Sequence, residues 1–463
     1  MRLAVGSTRL DAAWRALLAF SRTPYALIVF GYLLLRVGGF YGIETLRQQD
    51  TEAYLEVASQ PLFSLDFFAG ARSWTVPLLW KLLPDADSER AAGQFILSCA
   101  SWPVLAWAVA SCLRPTVFRY VAFGLVLLFS LTLAVVRWDL VMLSESVAIS
   151  LTVLMLAAWL ELVRAPRRSL VVVLLGLTLV WVFARDSNGI IALAIVPLIA
   201  LWAIRPPAAL GRAWVGALAA GTFAIFLAGL LATTTDEAQL RRNERPILHV
   251  IGRRVLADAE QTRWWRDHGM PAPPPRVIRD RRSLAGIAEG GLPSDPETDE
   301  FLEWAREHGR NTLARYLLAH PFQTVKQTIG KRQRLLAGVT VGYRPPDARN
   351  ILPEPLDELV YPRDAQDVYF WMIVVGLGAG AVALTLGPRR TWWVPAVAFA
   401  VQAPHATVVY QGDTLEIPRH AMLVAVTTRL SLLLLAILAL ERLLEARTAT
   451  RRVGVAKPET APN

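Results

Sequence analysis

The chain has 463 residues, of which 54% are hydrophobic and 19% are charged, and its formal net charge is +10. A soluble protein of this length would carry about 25% charged residues, so the composition argues against a soluble protein and indicates a membrane protein. The positive charge does not imply a nucleic-acid partner, because arginines in cytoplasmic loops orient membrane proteins.

Apolar runs recur along the chain, and each is long enough to cross about 30 Å of hydrocarbon. They predict an all-α polytopic membrane protein with about ten transmembrane helices, near 25–43, 94–113, 117–136, 144–163, 169–185, 189–204, 213–233, 368–387, 391–410 and 421–442. The chain then divides into an N-terminal membrane module (1–233), an extracytoplasmic segment of short helices and loops (234–367), a C-terminal membrane module (368–444) and a tail (445–463).

Every second connection between the predicted spans is rich in arginine, as in the pair Arg114 and Arg119 after the second span. Because positively charged loops stay in the cytoplasm, we expect both termini to be cytoplasmic. The segments 44–93 and 234–367 then lie outside. The expected location is the plasma (inner) membrane, crossed several times.

Cysteine and histidine usage gives little sign of a disulfide or a metal site. The two cysteines, Cys99 and Cys112, belong to one apolar run, so no disulfide framework is expected. The six histidines are scattered and show no metal-ligating spacing.

Charged residues cluster at the outer ends of the predicted spans, where charge is costly and usually functional. The clusters contain Asp50, Glu52 and Tyr54 in the first loop, Asp139 and Glu145 before the fourth span, Arg185 and Asp186 before the sixth, and Asp413, Glu416, Arg419 and His420 before the tenth. All four places can converge on one cavity that opens to the outside. Carboxylates and arginines sharing a cavity suit acid–base chemistry beside a phosphate.

Each cluster also has an ordinary structural explanation. Asp139 and Glu145 could cap the fourth helix, since acidic residues favour helix N-termini. Asp50 could lie in a solvated loop, Arg185 could form an ion pair with Asp186, and Glu416 could form a surface pair with Arg419. Because all four clusters are expected on one side, a shared site is favoured over four separate explanations.

The first loop resembles a known family. The stretch "QQDTEAYLEVA" followed by "ARSWTVPLLWKLL" resembles the first luminal or periplasmic loop of GT-C glycosyltransferases. More narrowly, it is similar to the bacterial relatives of dolichyl-phosphate-mannose protein mannosyltransferases. The matching positions are Asp50, Tyr54, Ala58, Arg72 and Pro77.

Two later stretches support the resemblance. "LSESVAISLTVLML" resembles the Ser/Thr-Glu opening of a later span and contributes Glu145, and "IPRHAMLVAV" resembles the opening of a late span and contributes Arg419 and His420. The resemblance covers the spans and the first loop. It does not cover 234–367.

The resemblance implies a reaction in which a sugar passes from a polyprenyl-phosphate donor to a glycan, lipid or protein acceptor at the outer face of the membrane. It assigns Asp50 as the general base, and Arg72 and Arg419, with Arg185 a weaker candidate, as donor phosphate-binding residues. Many relatives have two adjacent acidic residues where this chain has Asp50, Thr51 and Glu52. The role of Glu52 and the use of a divalent metal, a possible cofactor, therefore stay open.

A second class of function remains compatible with the sequence. The chain could be a transporter or flippase, or a polymerase or ligase, of lipid-linked glycans. Transporters usually bind substrate at the membrane midplane on broken helices and contain internal repeats, and this sequence shows no repeat. It also has no glycine-rich nucleotide-binding signature, which agrees with a lipid donor rather than a nucleotide sugar.

Overall fold

A computed structural model describes residues 23–235, 244–284, 296–337, 342–345, 347–412 and 414–455. This part of the chain is helical and contains no strand, apart from one isolated parallel bridge between Leu46 and Val141. The predicted all-α class is therefore confirmed.

The first half of the chain forms the helices α1 (Pro24–Phe40), α2 (Thr51–Ser59), α3 (Leu65–Ala69), α4 (Thr75–Lys81), α5 (Asp87–Ser111), α6 (Val117–Ser130), α7 (Leu133–Val136), α8 (Glu145–Arg164), α9 (Arg168–Val182), α10 (Asp186–Ile204) and α11 (Gly211–Leu231). The second half forms α12 (Arg245–Arg253), α13 (Ala259–Asp267), α14 (Pro275–Arg279), α15 (Pro296–Ala319), α16 (Pro321–Gly330), α17 (Arg332–Leu336), α18 (Glu354–Val360), α19 (Ala365–Leu386), α20 (Trp393–Ala400), α21 (Gln402–Gly412), α22 (Ile417–His420) and α23 (Met422–Val455).

Six of the described helices are long and apolar enough to cross a membrane, namely α5, α8, α10, α11, α19 and α23. Several apolar helices of this kind indicate a multi-pass membrane protein. The number of ten spans stays a prediction. Helices α1, α6 and α9 are apolar but have only 17, 14 and 15 residues, and the ninth predicted span is divided at Val401 between α20 and α21.

The bundle is built around α8 and α23, which are mostly buried, whereas most residues of α11 and α19 are only partly buried or exposed. Helix α8 packs against α5, α9, α20 and α23. A helix that is apolar all round is either a core helix or a membrane span. All four helices are long enough to span a membrane; the central pair is enclosed by other helices, and the outer two fit a lipid-facing position.

The described residues of the predicted extracytoplasmic segment have a hydrophobic core of their own. It forms where α12, α13 and α15 meet, and its fully buried members include Ile251, Trp265 and Phe301. The segment is also attached to the bundle, because the buried carboxylate of Asp357 accepts a 2.7 Å hydrogen bond from the Leu133 amide. The proposed module boundaries stay predictions.

Arginines from connections predicted to be cytoplasmic meet at one end of α23. Glu445 pairs with Arg114 at 2.5 Å, with Arg442 at 2.8 Å and with Arg389. Met422 and Glu445 lie roughly 35 Å apart along α23 at 1.5 Å per residue, which is close to the thickness of a bilayer core. This cluster of charges therefore lies about one bilayer thickness from the start of α23.

Candidate functional site

The first loop is fixed to the connection that precedes α8. The Leu46 amide donates to the Leu140 carbonyl at 2.9 Å, and the Met142 amide donates to the Leu46 carbonyl at 3.0 Å. The Thr51 hydroxyl donates to the Met142 carbonyl at 2.8 Å. These bonds hold the start of α2, and with it Asp50, beside the start of α8.

Asp50 occupies the N-cap position of α2, but its side chain accepts no capping bond from the helix. Its Oδ1 pairs with Arg72, and its Oδ2 lies 2.9 Å from Nη1 of Arg419. Burial alone would raise the pKa of this carboxyl, but the two guanidinium groups outweigh burial and lower it. Asp50 is therefore ionised and held between two arginines, and it is not a solvated loop residue.

Arg419 contacts three carboxylates, those of Asp50, Glu145 and Glu416. Its Nε lies 2.8 Å from Oε1 of Glu145, and its Nη1 lies 2.7 Å from Oε2 of Glu416, in addition to the contact with Asp50. The Tyr343 ring lies 5.2 Å from its guanidinium carbon, within cation–π range. Burial lowers the pKa of Arg419, but the carboxylates raise it overall. Arg419 is therefore a permanent cation that joins three separate parts of the chain.

Arg185 attaches a fourth element to the same group. Its Nη1 lies 3.1 Å from Oε1 of Glu145, and its Nη2 lies 3.2 Å from Nδ1 of His420. Glu145 is the first residue of α8 and is fully buried. Because its carboxylate pairs with two guanidinium groups, Glu145 is more than a helix cap.

We call the group formed by Asp50, Arg72, Glu145, Arg185, Glu416, Arg419 and His420 the Arg419 cluster. Its three carboxylates and three guanidinium groups balance in charge. Tyr54 belongs to its wall, since its buried ring lies 5.4 Å from the guanidinium carbon of Arg72. Burial raises the pKa of this phenol. Sequence positions that are far apart thus form one ionic network.

Three of the predicted site carboxylates within the described residues lie outside this network, and two of them, Asp139 and Glu52, pair with other arginines. Asp139 is buried beside Arg36, whose Nη2 is 2.7 Å from Oδ2 of Asp139. The Glu52 side chain is 69% exposed and pairs with Arg47 at 2.8 Å, on a different face of α2 from Asp50. These two carboxylates therefore do not take part in the Arg419 cluster.

Asp186 joins the start of α10 to the first loop. Its Oδ1 accepts a 2.7 Å hydrogen bond from the Ser73 hydroxyl, and Ser73 directly follows Arg72. Its sequence neighbour Arg185 pairs instead with Glu145. Asp186 thus supports the loop that carries Arg72. Asp413 lies outside the described residues.

Two residues near the predicted site, Arg36 and Tyr343, were missed from the sequence. Arg36 is a fully buried charge within α1, and its position inside an apolar run was a usable signal. Tyr343 was not distinguished by charge or periodicity. Burial and its hydrogen bond to Glu416 raise the pKa of Tyr343 to about 12, so its hydroxyl stays protonated as a donor.

The described residues contain no group of three or more histidine, cysteine, aspartate or glutamate side chains placed to hold a metal ion. Asp50, Glu145 and Glu416 are gathered by the guanidinium group of Arg419. A divalent metal bound at these carboxylates would have to compete with that guanidinium group. Metal dependence stays an open prediction.

Comparison of the chain with models of known protein families gives no match, and comparison with curated protein sequences gives no significant match. Support for a function therefore comes from the geometry of the Arg419 cluster and from the resemblance of the short motifs.

Proposed function

We propose that this protein is a membrane glycosyltransferase of the GT-C type, which transfers a sugar from polyprenyl phosphate to a glycan, lipid or protein acceptor at the extracytoplasmic face. The observation that carries the proposal is the ionised carboxylate of Asp50, held by Arg72 and Arg419 at one end of the bundle. A carboxylate beside guanidinium groups would supply the base and the phosphate-binding groups that the proposed chemistry requires.

In the proposed reaction, the acceptor hydroxyl oxygen attacks the anomeric carbon of the donor sugar. The bond from that carbon to the phosphate oxygen breaks, and the polyprenyl phosphate leaves with the electron pair. Asp50 takes the acceptor proton. Enzymes of this type need the phosphate charge to be stabilised as it develops, and nearby guanidinium groups supply that stabilisation.

Arg72 is the arginine of the cluster that an incoming phosphate reaches most easily. Its side chain is 29% exposed, whereas those of Arg419 and Arg185 are 5% and 8% exposed. We therefore assign phosphate binding to Arg72, and we assign Arg419 and Arg185 to holding the carboxylates in position. When Arg72 turns to the phosphate, Oδ1 of Asp50 is released and can accept a proton. Donor binding then prepares the base.

The same proposal places both termini in the cytoplasm of a plasma (inner) membrane protein and the Arg419 cluster outside. It is supported by the distribution of charge along α23. Arg419 precedes this helix, and Glu445 collects the arginines of the predicted cytoplasmic connections near the other end.

Transport of a lipid-linked glycan is the second candidate function, and one observation favours it. The ninth predicted span is broken at Val401 between α20 and α21, and broken helices often form transporter sites. Against transport, residues of the Arg419 cluster lie at helix ends, such as Glu145 at the start of α8 and Arg419 shortly before α23.

One experiment separates the two functions. The purified protein is placed in proteoliposomes with polyprenyl-phosphate sugars extracted from native membranes, together with an acceptor extract. A transferase releases free polyprenyl phosphate and attaches labelled sugar to the acceptor. Movement of intact donor across the bilayer without cleavage would support the transporter and contradict our proposal.

A further inference from the structure

A strongly basic cavity lies outside the Arg419 cluster. It has a volume of about 350 Å³, within the usual range of small-molecule sites. Its lining contains six cationic side chains, Arg253, Arg254, Arg281, Arg282, Lys331 and Arg334, and no described acidic residue. We call it the basic cavity.

Tight backbone packing brings these cations together. A Cβ atom at Gly252 would lie 1.9 Å from the Arg281 carbonyl oxygen, so only glycine permits the end of α12 to approach this turn. The close approach places Arg253 and Arg254 beside Arg281 and Arg282. Like charges held together repel one another, and an anion in the cavity would relieve that repulsion.

The basic cavity adjoins the Arg419 cluster along the chain. Tyr410 of α21, Thr414 and Ile417 complete its wall. Arg254 lies 3.9 Å above the Tyr410 ring and donates to Oε1 of Gln411 at 3.2 Å, so the extracytoplasmic segment closes onto the bundle here. The connection from α21 to α22 therefore lines the cavity with Thr414, while Glu416 on the same connection belongs to the Arg419 cluster.

The helix before the cavity has the features of a membrane-surface helix. On α16, Phe322, Val325 and Ile329 are exposed at spacings of three and four residues, which places them on one face. Lys331 and Arg334 of the cavity follow immediately. An exposed apolar face followed by basic residues fits the lipid interface, and a helix lying there would put the cavity at the level of lipid headgroups.

We infer that the basic cavity binds a phosphate or diphosphate group, and, resting on the proposed function, that this group belongs to a polyprenyl lipid rather than to a soluble phosphate. Guanidinium groups favour phosphate because their planar N–H groups match its oxygens in pairs. Five of the six cations are arginines. The cavity is thus a second phosphate site beside the site of transfer.

The test uses the full-length protein in detergent micelles and inorganic pyrophosphate as the probe, at constant ionic strength. Pyrophosphate is expected to raise the thermal midpoint of the wild type, because a ligand that binds only the folded state stabilises it. The variant Arg253→Gln/Arg282→Gln/Arg334→Gln should bind at least about tenfold more weakly, since charge-assisted bonds are lost. All three residues are exposed, so the variant should fold.

The matched control is Arg266→Gln/Arg279→Gln/Arg315→Gln, which removes the same charge from exposed positions outside the cavity. It should bind like the wild type. No binding by the wild type, or an equal loss in both triple variants, would overturn the phosphate site.

A second arm identifies the source of the phosphate. A short-chain polyprenyl phosphate in the micelles should compete with pyrophosphate in the wild type and bind more tightly than inorganic phosphate. Equal affinity would overturn the lipid assignment. The wild type also separates this inference from the proposed function, because a protein that binds pyrophosphate in the cavity but transfers no sugar would contradict only the proposed function.

Discussion

Nη1 of Arg419 lies 2.9 Å from Oδ2 of Asp50. A residue of the first loop is thus joined to a residue of α22, the short helix just before the last long helix. The same guanidinium group reaches Glu145 at the start of α8. Asp50 is therefore positioned by contacts from separate parts of the bundle and not by its own loop alone.

The two arginines that hold Asp50 should affect catalysis differently. In Arg72→Lys, we expect a raised KM for the donor, because an ammonium group cannot form the paired bonds of a guanidinium group to phosphate. In Arg419→Lys, we expect kcat to fall, because one ammonium cannot hold three carboxylates in the same geometry. Steady-state kinetics with a polyprenyl-phosphate sugar would test this division. A higher donor KM in Arg419→Lys with unchanged kcat would contradict it.

The stabilising effect of Asp50 should depend on pH with a defined sign. Its pKa is lower in the folded protein than the ordinary value, so its ionised form stabilises the fold above that ordinary value and the effect is lost as the pH falls through the folded pKa. We expect the difference in stability between wild type and Asp50→Asn to be constant from about pH 7 to about pH 5 and to shrink below about pH 4. Thermal unfolding across this range measures it. A difference that grows on acidification would contradict the lowered pKa.

The buried pair of Arg36 and Asp139 should matter for stability and not for chemistry. Arg36 is fully buried, and its Nη2 also donates to the Ser98 hydroxyl at 2.5 Å. Removing one partner of a buried pair leaves an uncompensated charge, which costs about 3–5 kcal/mol. We expect Arg36→Met alone to be strongly destabilised and Arg36→Met/Asp139→Leu to recover much of the loss in thermal unfolding. A double variant that folds but transfers no sugar would contradict a purely structural role for this pair.

The predicted orientation can be tested by cysteine labelling, since both native cysteines are buried. Both Ser88 and Ser169 are exposed. Ser88 lies in the segment 44–93, which is assigned to the outside, and Ser169 begins the fifth predicted span directly after the arginine-rich connection 164–168, which is assigned to the cytoplasm. An impermeant maleimide added to intact cells should label Ser88→Cys, whereas Ser169→Cys should react only after permeabilisation. Labelling of Ser169→Cys from outside would reverse the proposed orientation.

The helical membrane class was predictable from the sequence because apolar runs of span length are a direct physical requirement of the bilayer. The points where helices stop were not predictable in the same way. The run near 391–410 reads as one apolar span, yet the helix breaks at Val401, three residues before Pro404, which has no N–H to donate to the Ala400 carbonyl. Proline alone does not predict such a break, because Pro103 and Pro197 lie inside continuous helices.

The sequence predicted that the charged residues of the candidate site share one end of the bundle. It did not predict which carboxylate pairs with which arginine. Glu145 and Asp139 are close in sequence, yet Glu145 joins the Arg419 cluster and Asp139 pairs with Arg36. Which face of the connection turns inward depends on tertiary contacts such as the bonds of Leu46. Tyr343 could not be foreseen, because its place beside the cluster depends on how 234–367 folds back onto the bundle.

The central claim is that Asp50 is the base of a sugar transfer, and a paired assay of Asp50→Asn and Glu52→Gln tests it most directly. Both changes replace a carboxylate of the first loop with its amide, but only Asp50 contacts Arg72 and Arg419, while Glu52 is 69% exposed beside Arg47. General base catalysis is typically worth about 10²–10⁴-fold, so Asp50→Asn should retain less than about a hundredth of the wild-type rate of sugar release from polyprenyl phosphate. Glu52→Gln should stay within about twofold, since exposed pairs contribute little. If Asp50→Asn keeps more than about a tenth of the rate, or if Glu52→Gln is the inactive variant, Asp50 is not the base.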